Sequence, residues 1–213
     1  MPGFGQSFDP TVDPPNISWY INLYLEAFKP LGLFETKCHV VGHHSGAVIG
    51  VELAVLHPEV VKTLTLCGPV CMDKEEREKM RAKVTIPFNK PAEDGSHLIK
   101  TWEYLQHHGG IPSHDLDILQ QETLDHSRAW KGRLQIYNCV WDHDGPVMFK
   151  KISSPTLALC ARDDVLWDAF DAVKIIRPDI QTAEVTGANF GPSRGSESMV
   201  KVLTPFLERH ETK

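Results

Sequence analysis

The stretch from Cys38 to Gly68, CHVVGHHSGAVIGVELAVLHPEVVKTLTLCG, constrains the fold more than any other part of the chain. An apolar strand through Val40 and Val41 runs into a turn flanked by Gly42 and Gly46. A helix of small and apolar residues leaves that turn, carrying Val48, Ile49, Leu53, Val55 and Leu56, and Val61 to Leu66 reads as a second strand. Strand, sharp turn, helix and strand in so short a span form one βαβ unit. Its two strands are parallel and its crossover is right-handed, so the expected core is a parallel sheet flanked by helices.

Composition narrows what surrounds that unit. A chain of 213 residues with 41% hydrophobic side chains can bury a full core and suits one domain with an insertion. A net charge of -6 with dispersed basic residues argues against a nucleic-acid or anionic-membrane partner. The longest apolar run, Ala47 to Leu56, contains Glu52 and is too short to span a bilayer. The first residues lack the basic start and apolar core of a signal peptide. Five cysteines, an odd number without metal-ligand spacing, point to free thiols in a reducing compartment, and Cys67 and Cys71 are separated by Gly-Pro-Val rather than set as CxxC. The expectation is a soluble, cytoplasmic protein.

Along the chain, MPGFGQSFDP and Pro14-Pro15 read as an extended, turn-rich loop. Asn16 or Ser18 caps a helix running to about Pro30. Met72 to Lys83 is dense in both charges and reads as a solvated helix. Residues 71–151 are helical: Gly95 to His108, stopped by Gly109 and Gly110 at a left-handed cap; a helix capped by Ser113 with Leu116, Leu119, Leu124 and Ala129 along one side; and Arg133 to Trp141. Trp102, Tyr104, Trp130, Tyr137, Trp141 and Phe149 are concentrated there, either as an apolar lid over a pocket or as helix-to-helix packing. Pro155 to Cys160 and Gln181 to Thr186 return to strand character. The His43-His44, His107-His108 and Asp142-His143-Asp144 groups lack a zinc spacing, and neighbouring side chains tend to diverge, so no metal is expected. His57 would meet the last carbonyls of its helix. GAVIG has neither the Walker lysine nor GxGxxG spacing, so no cofactor is expected either.

The turn resembles the nucleophile elbow of the α/β-hydrolase superfamily, in which two glycines flank a nucleophile with one residue between on each side. Mapped from Gly42 and Gly46, that position holds His44, and Ser45 falls one residue late. The opening MPGFGQS is similar to the family's loop after its fourth strand, which implies an N-terminally short sheet with the strand before the turn at its edge. PTLALCARDD is similar to the penultimate strand and acid loop, placing the acid on Asp164, with Asp163 as its neighbour. Gly187, Phe190, Phe206 and Leu207 match the closing loop and helix, where Asn189 occupies the usual histidine position. The resemblance implies an α/β-hydrolase core over 1–70 and 152–213 and a helical cap, or lid, over 71–151.

The serine route needs a hydroxyl nucleophile, a histidine base and a carboxylate. The mapped positions offer His44, Asn189 and Asp164, and an asparagine cannot accept and return a proton at neutral pH. The expected arrangement is instead an imidazole base at His44, hydrogen-bonded by Asp164 and Asn189, with the Ser45 backbone N–H as an oxyanion donor. Two readings follow: a hydrolase-type enzyme acting on a small, mainly apolar carbonyl compound such as an ester, a lactone or an activated C–C bond, or an inactive binding protein on the same fold. The partner expected is a small molecule, and an uncovered edge strand would favour a homo-oligomer.

Overall fold

The computed structural model describes residues 1–211. Among them, four parallel strands form one sheet in the order β1 (Cys38–His43), β2 (Val61–Cys67), β3 (Thr156–Ala161) and β4 (Gln181–Val185). Between β1 and β2 runs α2 (Ser45–Leu56), and the register pairs Val40 with Leu64 and Gly42 with Leu66. β3 is buried throughout, as a central parallel strand must be, whereas β1 is only partly covered and Val41 is 51% exposed. Among the described residues β1 forms one edge of the sheet and β4 the other.

Strand periodicity divides the core in two. Leu64 and Leu66 of β2 and Ala158 and Cys160 of β3 face one side, with α1 (Ile17–Phe28) and α2. Leu157, Leu159 and Ala161, with Cys67 and Val185, face the other, where Met199 and Phe206 of α10 (Ser196–Glu211) cover them. Asn16 caps α1 by accepting the Trp19 N–H at 3.0 Å. At its far end α10 is tied across the sheet, Glu211 accepting from Lys62 Nζ at 3.1 Å and meeting His39 Nε2 at 2.9 Å.

Between β2 and β3 stand α3 (Lys74–Val84), α4 (Ser96–His107), α5 (Leu116–Arg128), α6 (Trp130–Asp142) and α7 (Gly145–Phe149). Beyond β3 come α8 (Asp171–Ile176) and, after β4, α9 (Gly191–Arg194). Several expectations are corrected here. α5 starts at Leu116 after Asp115 rather than from a Ser113 cap, and only Leu119 on it is buried; Leu116 and Leu124 are about 60% exposed, because no neighbour stands on that side. α3 is not wholly solvated: its Arg77 is buried and donates to the carbonyls of Met72 and Trp141. His57 meets the end of α2 through its backbone, its N–H donating to the Leu53 carbonyl at 2.8 Å, while its ring turns to Glu59 at 3.2 Å. The left-handed residue after α4 is Gly110, two positions beyond the His108 cap.

The first residues pack on this insertion. Arg128 pairs with Asp9 at 2.9 Å, Gln135 donates to Asp13 at 3.1 Å, and the Cys139 thiol lies 3.2 Å from the Pro14 carbonyl. The five cysteines are free thiols. No helix among the described residues is long and apolar enough to cross a membrane.

Leu64 is fully buried between α2 and the neighbouring strands. Leu64→Ala is expected to cost about 2–5 kcal/mol, read as a lower urea midpoint at unchanged m-value.

Candidate active site

The end of β1 turns directly into α2 at His44, whose backbone takes φ 48 and ψ -109, a conformation that L side chains avoid. The turn is tight enough that a side chain at Gly42 would meet the backbone of Gly46 and Ala47. Two hydrogen bonds hold it: the His44 N–H donates to the Cys67 carbonyl at 2.9 Å, and the His44 carbonyl accepts from Ala47 at 2.9 Å. The side chain is thereby thrown outward beyond the C-terminal end of the sheet.

There the His44 Nε2 lies 2.8 Å from Asp164 Oδ2. Asp164 follows β3; its side chain is 3% exposed, and its other oxygen accepts the Leu166 N–H at 2.8 Å. Asp164 therefore both orients His44 and closes its own loop. A carboxylate only accepts, so Nε2 is the donor in this contact, and in the neutral imidazole the lone pair then lies on Nδ1. Asp163 does something separate, its Oδ1 accepting the Ala188 N–H at 3.1 Å.

The expected hydrogen bond from Asn189 to His44 is not what forms. Asn189 Oδ1 accepts the Val165 N–H and its Nδ2 donates to the His108 carbonyl, both at 2.9 Å. Its amide is spent on two backbone groups and ties the acid loop to the end of α4. Ser45 opens α2 beside His44, and its N–H has no acceptor among the described residues. That donor sits at the positive end of a twelve-residue helix.

His43 was not foreseen as part of the site. Its ring stacks on His44 with centroids 4.2 Å apart and planes 27° from parallel, and its buried Nε2 has no partner among the described residues. Burial first, and His44 second, push His43 down to about 3. His43, His44 and Asp164 bring one ligand atom each within 4.8 Å of one another.

His43, His44, Ser45 and Asn189 border a cavity of about 970 Å³ that runs along the open edge of β1. Phe4, Phe28, Leu33 and Phe34 line its apolar part, and Tyr104, Arg133 and Tyr137 form its wall on the insertion. Of the aromatics concentrated in the insertion, only Tyr104 and Tyr137 reach this cavity; Phe149 is buried in the core and Trp102 packs near Leu105 and Leu119. Arg133 carries no sequence signal beyond its place in the aromatic-dense stretch.

Parallel strands with helices on both faces, and a strained residue between the edge strand and its following helix, make this the α/β-hydrolase fold. The enol-lactonase from Burkholderia xenovorans superposes with a TM-score of 0.73 at 16% identity, over 98% of this chain and 78% of that one. No protein-family model matches the chain. Among curated relatives, "Putative carbamate hydrolase RutD" of Yersinia enterocolitica is 26% identical over 179 residues, covering 80% of this chain and 63% of the relative. A 2-hydroxy-6-oxo-6-(2'-aminophenyl)hexa-2,4-dienoic acid hydrolase from Metapseudomonas resinovorans is 24% identical over 182 residues, covering 83% and 60%. The chain thus spans less than two thirds of the length of these two relatives.

Two outcomes test this geometry. Gly68, at φ +61, lies so close that an added Cβ would sit 2.5 Å from the His44 ring and 3.2 Å from Asp164 Oδ2. Gly68→Ala is expected to separate the pair, seen as loss of the downfield imidazole N–H resonance from a chain that remains folded. The second outcome concerns pH. His43 stays neutral in the folded chain down to about 3, while the unfolded chain protonates it below about 6.5. Its contribution to stability is complete above 6.5 and lost as pH falls toward 3. His43→Gln should flatten that part of the stability curve, measured by urea unfolding from pH 4 to 7.

Proposed function

We propose that the chain is a hydrolase acting on a small, mainly apolar carbonyl compound, an ester, a lactone or an activated C–C bond, with His44 as general base. The observation that carries this is the 2.8 Å contact of His44 with Asp164 at the wall of the cavity. In this reading, water enters beside His44 and gives its proton to Nδ1 as its oxygen adds to the carbonyl carbon. The oxyanion that forms meets the free Ser45 N–H, a donor worth about 3 kcal/mol when well placed. The proton then leaves His44 for the departing group as the carbonyl bond to it breaks. Asn189 is a positioning residue, holding the acid loop against the end of α4.

The insertion over 71–151 serves as the lid, since Tyr104, Leu105, His126, Arg133 and Tyr137 close the cavity from that side. The names of the relatives, a carbamate hydrolase and a dienoic acid hydrolase, and of the structural neighbour, an enol-lactonase, are consistent with a carbonyl-directed reaction. One observation favours a second reading, a binding protein without turnover. The Asn189 amide is fully committed to backbone, so no proton acceptor stands at the position where the resemblance expects one.

Hydrolysis of a panel of aryl esters and lactones tests both. His44→Ala is expected to lower kcat/KM by at least about a hundredfold, and Ser45→Ala, which keeps the backbone N–H, by only a few-fold. Loss with Ser45→Ala and retention with His44→Ala would replace the base by a serine nucleophile. Absence of turnover from the folded wild type would favour the binding protein.

A further inference from the structure

Arg133 of α6 is the largest fully buried side chain, 2% exposed. A buried charge is costly unless it is paired. Yet no carboxylate lies within ion-pair distance of Arg133 among the described residues, and every partner it has is neutral. Its Nη1 donates to the Ile86 carbonyl at 3.2 Å, and its Nη2 to the Val84 carbonyl at 2.5 Å and to Tyr104 Oη at 3.0 Å. The rings of Phe88, Tyr104 and Tyr137 surround the guanidinium with centroids 4.5, 5.1 and 4.7 Å from its central carbon. Its Nε is buried with no acceptor.

These contacts fix the guanidinium and spread its charge over aromatic faces, but they do not neutralise it. They also act on Tyr104. A phenol oxygen that accepts from a guanidinium still has its own O–H to donate, and the adjacent cation strengthens that donation. Tyr104 and Tyr137 border the large cavity and also the smaller pocket beside it, and they share both with His44, Ser45 and Asn189. The phenols therefore stand at the junction of the two spaces, with the cation behind them. The acids on the cavity wall, Glu122 and Asp125, sit on α5 and neither pairs with Arg133. Burial, reinforced by Asp125, pushes Glu122 up to about 7, toward its neutral form.

We infer that this end of the cavity is an anion subsite, in which the Tyr104 hydroxyl, polarised by Arg133, holds a carboxylate carried by the ligand. The substrate class narrows accordingly, from an apolar carbonyl compound to one with an apolar body and a carboxylate. The inference rests on the cavity being the ligand site, as in the proposed function, but requires no turnover.

Its test is equilibrium binding. Isothermal titration of 4-phenylbutyrate and of its neutral isostere 4-phenylbutyramide is compared on the wild-type chain, Tyr104→Phe and Arg133→Met. The wild type is expected to prefer the carboxylate by at least about tenfold, the scale of one charge-assisted hydrogen bond. Tyr104→Phe, which keeps the ring stacked on Phe88, should cut that preference at least fivefold, and Arg133→Met should abolish it. Equal affinity for the two probes, no saturable binding of the carboxylate, or full preference in Tyr104→Phe would each overturn the inference. Tyr104→Phe decides the matter even where Arg133→Met fails to fold. An inactive chain that still prefers the carboxylate would refute the hydrolase reading and leave the subsite standing.

Discussion

The candidate site depends on one backbone conformation. His44 sits at φ 48, ψ -109, where a non-glycine residue pays roughly 1–3 kcal/mol of strain. Nothing local compensates for that; the surrounding fold does. The Cys67 carbonyl holds the His44 N–H, and α2 begins at the next residue and buries Ala47, Val48, Ile49, Val51, Leu53 and Ala54. Relaxing φ at His44 would swing the start of α2 off the sheet, so the packing of the whole helix maintains the angle that sends one imidazole outward.

Sheet topology then does the collecting. All strands run the same way, so every strand ends on one side of the sheet. His44 follows β1, Gly68 follows β2, Asp164 follows β3 and Asn189 lies in the loop after β4. Residues 120 positions apart in the chain meet at 2.8 Å because adjacent parallel strands place successive loops next to one another. The insertion between β2 and β3 enters and leaves at the centre of the sheet, which brings Tyr104 and Arg133 over the same end.

The parts of this that sequence made legible are those with short-range causes. The βαβ unit shows in the change from an apolar strand to a small-residue helix across two glycines, and the acid at Asp164 follows from its spacing after a proline and a buried strand. What sequence withheld depends on partners distant in the chain. Asn189 stands where the resemblance puts it, but its hydrogen bonds go to Val165 and His108, contacts set by the approach of two loops. Periodicity marked Leu116 and Leu124 as one apolar stripe with Leu119, but only packing decides which part of a stripe finds a neighbour. Arg77 and Arg133 were the hardest to read. Charge density looks like surface, and a guanidinium can be buried when backbone carbonyls happen to converge on it.

The first fourteen residues are tied to the insertion. At Gly3 and Gly132 the two backbones approach so closely that an added Cβ on Gly3 would lie 2.5 Å from the Cα of Gly132, and Arg128, Gln135 and Cys139 each reach back to the same loop. The leading loop and α6 are consequently one mechanical body. Any displacement of the insertion relative to His44 would therefore draw on residues 1–14 and, through them, on the start of α1.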